Sequence, residues 1–293
     1  MTDKQRANIA ASCTDCDHLP KAEGAGSVVE ENGVEFQLMH NGIRTRTDSH
    51  YGSYNVEVIQ RLKGHHEPQE ELAFDEVLKR VSPGGVILEL GSFWAYYSLW
   101  FLHSVPDSKA ILVEPVPEGL EAGRRNFELN NREGTFIHAA LSDTPQPSKD
   151  IELWPGKITN APTKTVDSIL KDQSLDSIAI LHADIQGHEL KMLKGAAKTL
   201  ASKKAEWVFI STHHENIHQA CIKELKRHGY SIAVSHSLGE SYSVDGLIVA
   251  SANSGSLQCE ITKRKSWAIS KAKLRSWVRI HIMEPLKLRP PTA

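Results

Sequence analysis

No apolar run in these 293 residues reaches the length of about 18 that a membrane-spanning helix needs, so none is expected. The start, MTDKQRANIAASCTDCDHL, lacks the apolar core of a signal peptide. Cysteine is scarce. The four at positions 13, 16, 221 and 259 are too few to staple a chain of this size, and they make a reducing, cytoplasmic setting the default expectation. Charge of one sign does not dominate, and a net charge of −2 gives no global pull toward nucleic acid. The dinucleotide pattern G-x-G-x-x-G is missing too, which weighs against a pyrophosphate-bearing cofactor and against a nicotinamide-dependent oxidoreductase.

What is present suits a soluble α/β protein. At 40% hydrophobic and 24% charged, the chain can bury a sizeable core. Its charge is uneven: residues 261–293 hold nine Lys/Arg and one acid, Glu284, leaving −10 on residues 1–260. Among those basic residues Trp267, Leu274, Trp277 and Val278 recur at mostly helical spacing. That pattern reads as a basic amphipathic helix for an anionic membrane, RNA or another subunit, or else as a solvated extension docked on the acidic body. No specific nucleic acid is indicated. Cys13-x-x-Cys16-x-His18 has the start of metal-ligand spacing, but one CxxC without a partner pair reads first as an idle or disordered tail.

The spacing divides the chain into a polar extension (1–50), a body (51–252) and the basic tail (253–293). Within the extension VEFQLMHNGIRTRT predicts a hairpin turning at Asn41-Gly42. Residues 56–81 read as largely helical, with Pro68 near the start of the later segment. A strand–helix rhythm follows. GVILEL, KAILVEP, GTFIHAAL, IAILHADI and EWVFIST are strand-length apolar runs separated by helix-length segments. TVDSIL reads as a brief strand and turn, and 144–160 as a polar insertion. YSIAVS and SVDGLIVAS end the body with no room for a helix between them, so they should pair antiparallel. Seven strands, parallel except for this last hairpin, with helices on both faces, make a Rossmann-like pattern: that of the class I methyltransferase fold.

In such a sheet the ligand sits beyond the carboxyl ends of the strands. The first strand ends in Glu89-Leu90-Gly91, with Ser92 and Phe93 next, and the second in Glu114-Pro115. A carboxylate at Glu114 suits the two hydroxyls of a ribose. Gly91 would let backbone approach a methionine end that Glu89 faces, and Ser142-Asp143 would meet an adenine edge. S-adenosylmethionine, which has no phosphate, fits these ends; solvent-exposed strand ends are the bland alternative.

VILELGSFWAYYSL, ILVEPVPEGLEAGRRNFELNN, AALSD, TKTVDSIL and ILHADIQGHELKMLKGA together resemble the FkbM-type S-adenosylmethionine-dependent methyltransferases, from about Gly64 to Ala250. The last piece is similar to that family's most specific stretch, lysine-x-aspartate-x-glutamate-glycine-x-glutamate. GHHEPQEE matches a segment before the first strand. The departures are Glu89 for Asp, Phe93 and Ala95 for a small or Asn residue and a second Gly, His182 for Lys, and Gln186 for Glu. The resemblance implies methyl transfer, commonly to a hydroxyl of a sugar, glycan or natural product.

Methyl transfer is an in-line displacement, and a hydroxyl acceptor benefits from a base. Asp184 and His213, at the ends of strands four and five, are the catalytic candidates; together they are also the candidate ligands of a divalent metal that would acidify the acceptor. His182 is expected half-buried, and His188 and His218 on helix surfaces. Asp167 reads as a structural turn cap. HHEPQEE would fold over the cofactor, with Glu67 or Gln69 at the methionine amino group, or simply start a helix. Phe93 and Trp94 either line the sulfonium pocket or pack beneath it as core. A non-catalytic binding module on the same fold is the rival reading.

Overall fold

The structure is a computed structural model, and it describes residues 2–264 apart from 51, 154–156, 244 and 254. The basic segment from 265 onward, with Trp267, Leu274, Trp277 and Val278, lies outside the described residues. No helix among the described residues is long and apolar enough to cross a membrane.

The first fifty residues are built into the body. Helix α1 (Asp3–Ala10) packs on α2 (Ser53–Arg61) through Ala7, Ala10, Val58 and Leu62. Strands β1 (Val28–Glu31), β2 (Val34–Leu38) and β3 (Arg44–Arg46) form an antiparallel sheet. The β2–β3 hairpin turns at Asn41-Gly42, where Gly42 takes φ +83°, the left-handed conformation that glycine adopts without strain. Cys16, Met39 and Ile43 belong to the same core cluster as Leu72, Phe74 and Trp100. The idle-tail expectation for Cys13 and Cys16 therefore fails: both thiols are buried, while His18 is exposed. Burying an apolar side chain such as Phe74 contributes about 1.5–3 kcal/mol, so each of these anchors is worth holding in place.

Helix α3 (Pro68–Leu78) follows, with Pro68 in its first turn, where a missing N–H costs nothing. Then come β4 (Val86–Leu90), α4 (Tyr96–Ser104), β5 (Lys109–Glu114), α5 (Pro117–Leu129) and β6 (Thr135–His138). Three strands build a side sheet: β7 (Ala140–Leu141), β8 (Gln146–Leu153) and β9 (Lys157–Lys164). They are followed by α6 (Val166–Asp172), β10 (Ile178–Asp184), α7 (Glu189–Gly195), α8 (Ala197–Ala201), β11 (Ala205–Thr212), α9 (Glu215–Arg227), β12 (Ser231–His236) and β13 (Gly246–Ser251). The central sheet runs β12-β13-β11-β10-β4-β5-β6, and β13 is antiparallel to both its neighbours. β10, β11 and β13 are apolar runs covered on both faces, as parallel layers with helices on each side require.

Three local expectations change. GTFIHAAL is two strands, because the chain leaves the central sheet after His138 and pairs Ala140 and Leu141 with β9. The polar insertion is the β8–β9 hairpin, whose largely exposed residues give little apolar periodicity. TVDSIL is helical: Thr165 caps α6 by accepting the Ser168 N–H, and Ser168 caps it back. Asp167 does serve as a cap, but for α8. Its carboxylate accepts the Lys198 and Thr199 N–H groups at 3.0 and 2.8 Å.

Asn126 on α5 joins the small sheet to the loop after β4. Its Oδ1 accepts the Arg46 N–H at 2.9 Å, and its Nδ2 donates to the Trp94 carbonyl at 2.9 Å and the Ser49 hydroxyl at 3.0 Å.

Candidate active site

The chain order reverses between β4 and β10, and in such sheets the ligand lies beyond the carboxyl ends of the strands at that point. Gly91 sits at that point with φ +75°, and its N–H donates to the Val113 carbonyl at 2.8 Å. A Cβ there would lie 1.9 Å from the Asp184 carbonyl oxygen, so only glycine lets β4 and β10 close on each other. Phe93 and Ala95 also take positive φ, +38° and +63°. The left-handed backbone at Ala95 accounts for the glycine that the resembling family favours there.

The aromatics of this loop divide. Trp94 is buried, stacks on Tyr96 with centroids 5.3 Å apart, and meets His50 and His66 edge-on: it is core. Phe93 is half-buried at Gly119, beside the Glu114 side chain. The Glu114 carboxylate accepts the Phe93 N–H at 3.1 Å on one oxygen and the Val116 N–H at 2.9 Å on the other. These donors fix its plane, and each oxygen keeps a second lone pair. Burial pushes Glu114 up to about 7, against the pull of those N–H groups. Glu89 is buried and accepts the Ser98 N–H at 3.0 Å, in the first turn of α4, where unpaired helix donors favour a carboxylate. Ser92 is buried too, Pro115 is half-buried, and Ser142 donates to Asp143 at 3.2 Å at the far end of the row. Glu89 and Glu114 are thus buried ends rather than solvent-exposed ones.

The other wall is a chain of acids and histidines. Glu70, in the first turn of α3, receives His182 Nε2 at 2.8 Å and the Ser211 hydroxyl at 2.9 Å. His182 is buried rather than half-buried. Burial alone would lower its pKa, but the bond to Glu70 raises it above the ordinary value, at the position where the resembling family has lysine. His213 lies between Asp184 (3.2 Å from Nε2) and Glu189 (2.7 Å from Nδ1), with Asp245 3.8 Å from Nε2. Burial would lower His213, but these carboxylates hold it up at about 11. Both ring nitrogens face carboxylates, and the Gln186 side-chain nitrogen lies 3.0 Å from Nε2. Burial would likewise raise Asp184, yet its bond to His213 keeps it below the usual carboxylate range. Asp245, just before β13, is pushed up to about 7 by burial and its acidic neighbours, against the His213 charge. Glu67 accepts the Tyr97 hydroxyl at 3.3 Å. Gln69 is committed elsewhere, donating to His236 and accepting the Tyr242 N–H at 2.7 Å. A crevice of about 10 Å³, room for about one water, runs between Glu67, Glu70, Ser211, Ser241 and Asp245. His218 is buried against Thr212 and Ser235, so its surface assignment is corrected; His188 is half-buried.

The raised His213 carries a stability signature with a definite sign. Its contribution is full below the ordinary value of 6.5 and is lost as pH climbs through about 11. His213→Gln should therefore destabilise most near pH 6, with the gap to the parent narrowing toward pH 10 in urea titrations at each pH. A gap that widens with pH would refute the imidazolium.

Glu70, Glu189 and Asp245 were not singled out in the sequence. Glu189 did carry a signal, as the last acid of ADIQGHE, the stretch aligned with the family's signature. Glu70 and Asp245 had none, since each meets its partner only through the fold.

Comparison with known proteins bears on this arrangement. The methyltransferase FkbM domain model matches residues 86–232. No curated protein matches the chain. Among solved structures it is similar to a precorrin-6y C5,15-methyltransferase from Geobacter metallireducens GS-15, at 15% identity, with 63% of this chain and 87% of that one covered and a TM-score of 0.41. It is also similar to TrmK of M. capricolum bound to S-adenosyl-homocysteine (13% identity, 75% and 88% covered, TM-score 0.40). A third is a ribosomal protein L11 methylase from Lactobacillus delbrueckii subsp. bulgaricus (13% identity, 64% and 80% covered, TM-score 0.41). The matched segment runs from the first residue of β4 into β12 and takes in Glu89, Gly91, Glu114, Asp184 and His213; this chain belongs to the FkbM methyltransferase family.

Proposed function

We propose that this protein transfers a methyl group from S-adenosylmethionine to a hydroxyl of a polyhydroxylated small molecule: a sugar, a glycan end or a natural product of that kind. The observation that carries this reading is the pairing of two differently built walls at the carboxyl ends of the central strands. On one wall Glu114, fixed by two backbone N–H groups, has lone pairs for the ribose hydroxyls. Glu89, Gly91, Ser92, Phe93, Pro115, Ser142 and Asp143 complete the cofactor side, with Glu67 toward the methionine end. The bound cofactor supplies an electrophilic methyl group on sulfur.

On the other wall the residues do acceptor chemistry. Asp184 gives a hydrogen-bond acceptor that can hold a hydroxyl in line, and His213, bonded to Asp184 and Glu189, fixes the orientation of that carboxylate. A histidine held at about 11 keeps its proton at neutral pH, so the base role passes to Asp245, whose carboxyl at about 7 is matched to the task. Asp245 would take the hydroxyl proton and become neutral, and the His213 charge beside it favours the ionised, proton-accepting form beforehand.

Calorimetric titration with S-adenosylhomocysteine tests the cofactor wall. Binding is expected, and Glu114→Gln should weaken it about 10-fold, the loss of roughly one charge-assisted hydrogen bond. No binding at millimolar ligand would favour the non-catalytic module. A methylation screen over sugars and small polyols tests the other wall: Asp245→Asn should lower kcat about 100-fold while leaving S-adenosylhomocysteine affinity in place. An unchanged kcat would remove Asp245 as base.

A further inference from the structure

We propose that Cys16, His65 and Glu71 form a binding site for a transition-metal cation of the zinc class, separate from the crevice. One donor atom from each residue lies within 4.8 Å of the other two, and this is the only such trio of His, Cys, Asp or Glu among the described residues. Donors about 2.0–2.3 Å from a shared ion must lie at separations inside that limit. All three are buried: Cys16 is 3% exposed, and His65 and Glu71 are 0%. Nε2 of His65 has no hydrogen-bond partner, an uncommon condition for a fully buried imidazole.

The chemistry of the trio selects the ion. A thiolate, an imidazole and a carboxylate together suit zinc, whereas magnesium and calcium take oxygen donors. A divalent cation with one thiolate, one carboxylate and a neutral imidazole is electrically neutral, which makes a buried site tolerable. The surroundings hold the donors in place. Glu71 Oε1 accepts the His66 and Glu67 N–H groups at 2.8 and 3.2 Å, and the other oxygen meets His65 Nδ1. The His40 ring stacks on His65 at 4.0 Å, and the Tyr96 hydroxyl meets His40 Nδ1 at 3.1 Å. Without metal, the Cys16 thiol donates to the Pro68 carbonyl at 3.1 Å. Metal entry displaces the thiol proton to solvent, while the neutral His65 keeps its one ring proton on the nitrogen that does not ligate.

The pairing is not the one the sequence suggested. Cys16 meets His65 and Glu71 from the start of α3, across some fifty residues, while the exposed His18 stays outside. The ion pins the N-terminal segment to the turn that carries Glu67 and Glu70.

Metal content of the full-length protein, purified without an immobilised-metal column, tests this independently of methyl transfer. One zinc per chain is expected. Cys16→Ser and Glu71→Gln should each weaken zinc by more than about 10-fold in competition with a chromophoric chelator, the loss that even an outer partner carries. His18→Ala should leave it unchanged. Should the first two variants fail to fold, cobalt added to the parent protein decides: a thiolate-to-cobalt charge-transfer band supports the site. A parent protein that takes up no zinc and shows no such band overturns it, as does zinc that survives both variants or is lost in His18→Ala.

Discussion

Gly91→Ala is expected to destabilise the protein by about 2–5 kcal/mol, combining a left-handed backbone that costs an L-residue about 1–2 kcal/mol with overpacking that costs about 1–3. The new Cβ would stand 1.9 Å from the Asp184 carbonyl oxygen, which is backbone in the centre of the sheet and cannot swing aside. Either β4 or β10 must shift, and both carry site residues. The urea midpoint should fall, and S-adenosylhomocysteine binding should fall with it even below the unfolding range. An alanine variant with parental stability would mean that the strand ends are not packed as described.

Glu70→Ala should cost about 3–5 kcal/mol, the range for breaking one side of a buried ion pair. Its two oxygens serve His182 at 2.8 Å and Ser211 at 2.9 Å, and all three side chains are buried. Glu70→Met combined with His182→Leu should recover more than half of the loss, because exchanging both charges for apolar groups removes the desolvation cost together with the attraction. Chemical denaturation of the single and double variants measures this. No recovery in the double variant would show that the pair organises more than its own charges.

These two sites also mark what was readable in the chain. β4, β5, β10, β11 and the final hairpin are legible because each is an apolar run of strand length bounded by breakers. Their ends point to Glu89, Glu114 and Asp184, since ligand sites lie where such strands stop. The β8–β9 hairpin was not legible: most of its residues face water, so no apolar period marks it. The Glu70–His182 pair was not legible for a different reason. The two residues stand 112 positions apart, and nothing local says that the first turn of α3 closes over the end of β10. The N-terminal fifty residues read as a polar extension because their anchors, Cys16, Met39 and Ile43, are isolated apolar residues in a polar text. Only packing turns them into core.

The position of β13 has a consequence for how the chain comes together during synthesis. It is the last strand to be made among the described residues, yet it lies between β11 and β12, with all six of its residues buried. Until residue 251 has left the ribosome, β12 has no neighbour to pair with, and β11 presents a row of apolar residues and open backbone groups. Such an edge is a template for self-association. At about 5–20 residues per second the interval from the end of β11 to the end of β13 lasts a few seconds, long on the scale of local collapse. Crowded ribosomes making this protein would thus expose neighbouring nascent chains to one another at a single predictable stage, which a released chain has already passed.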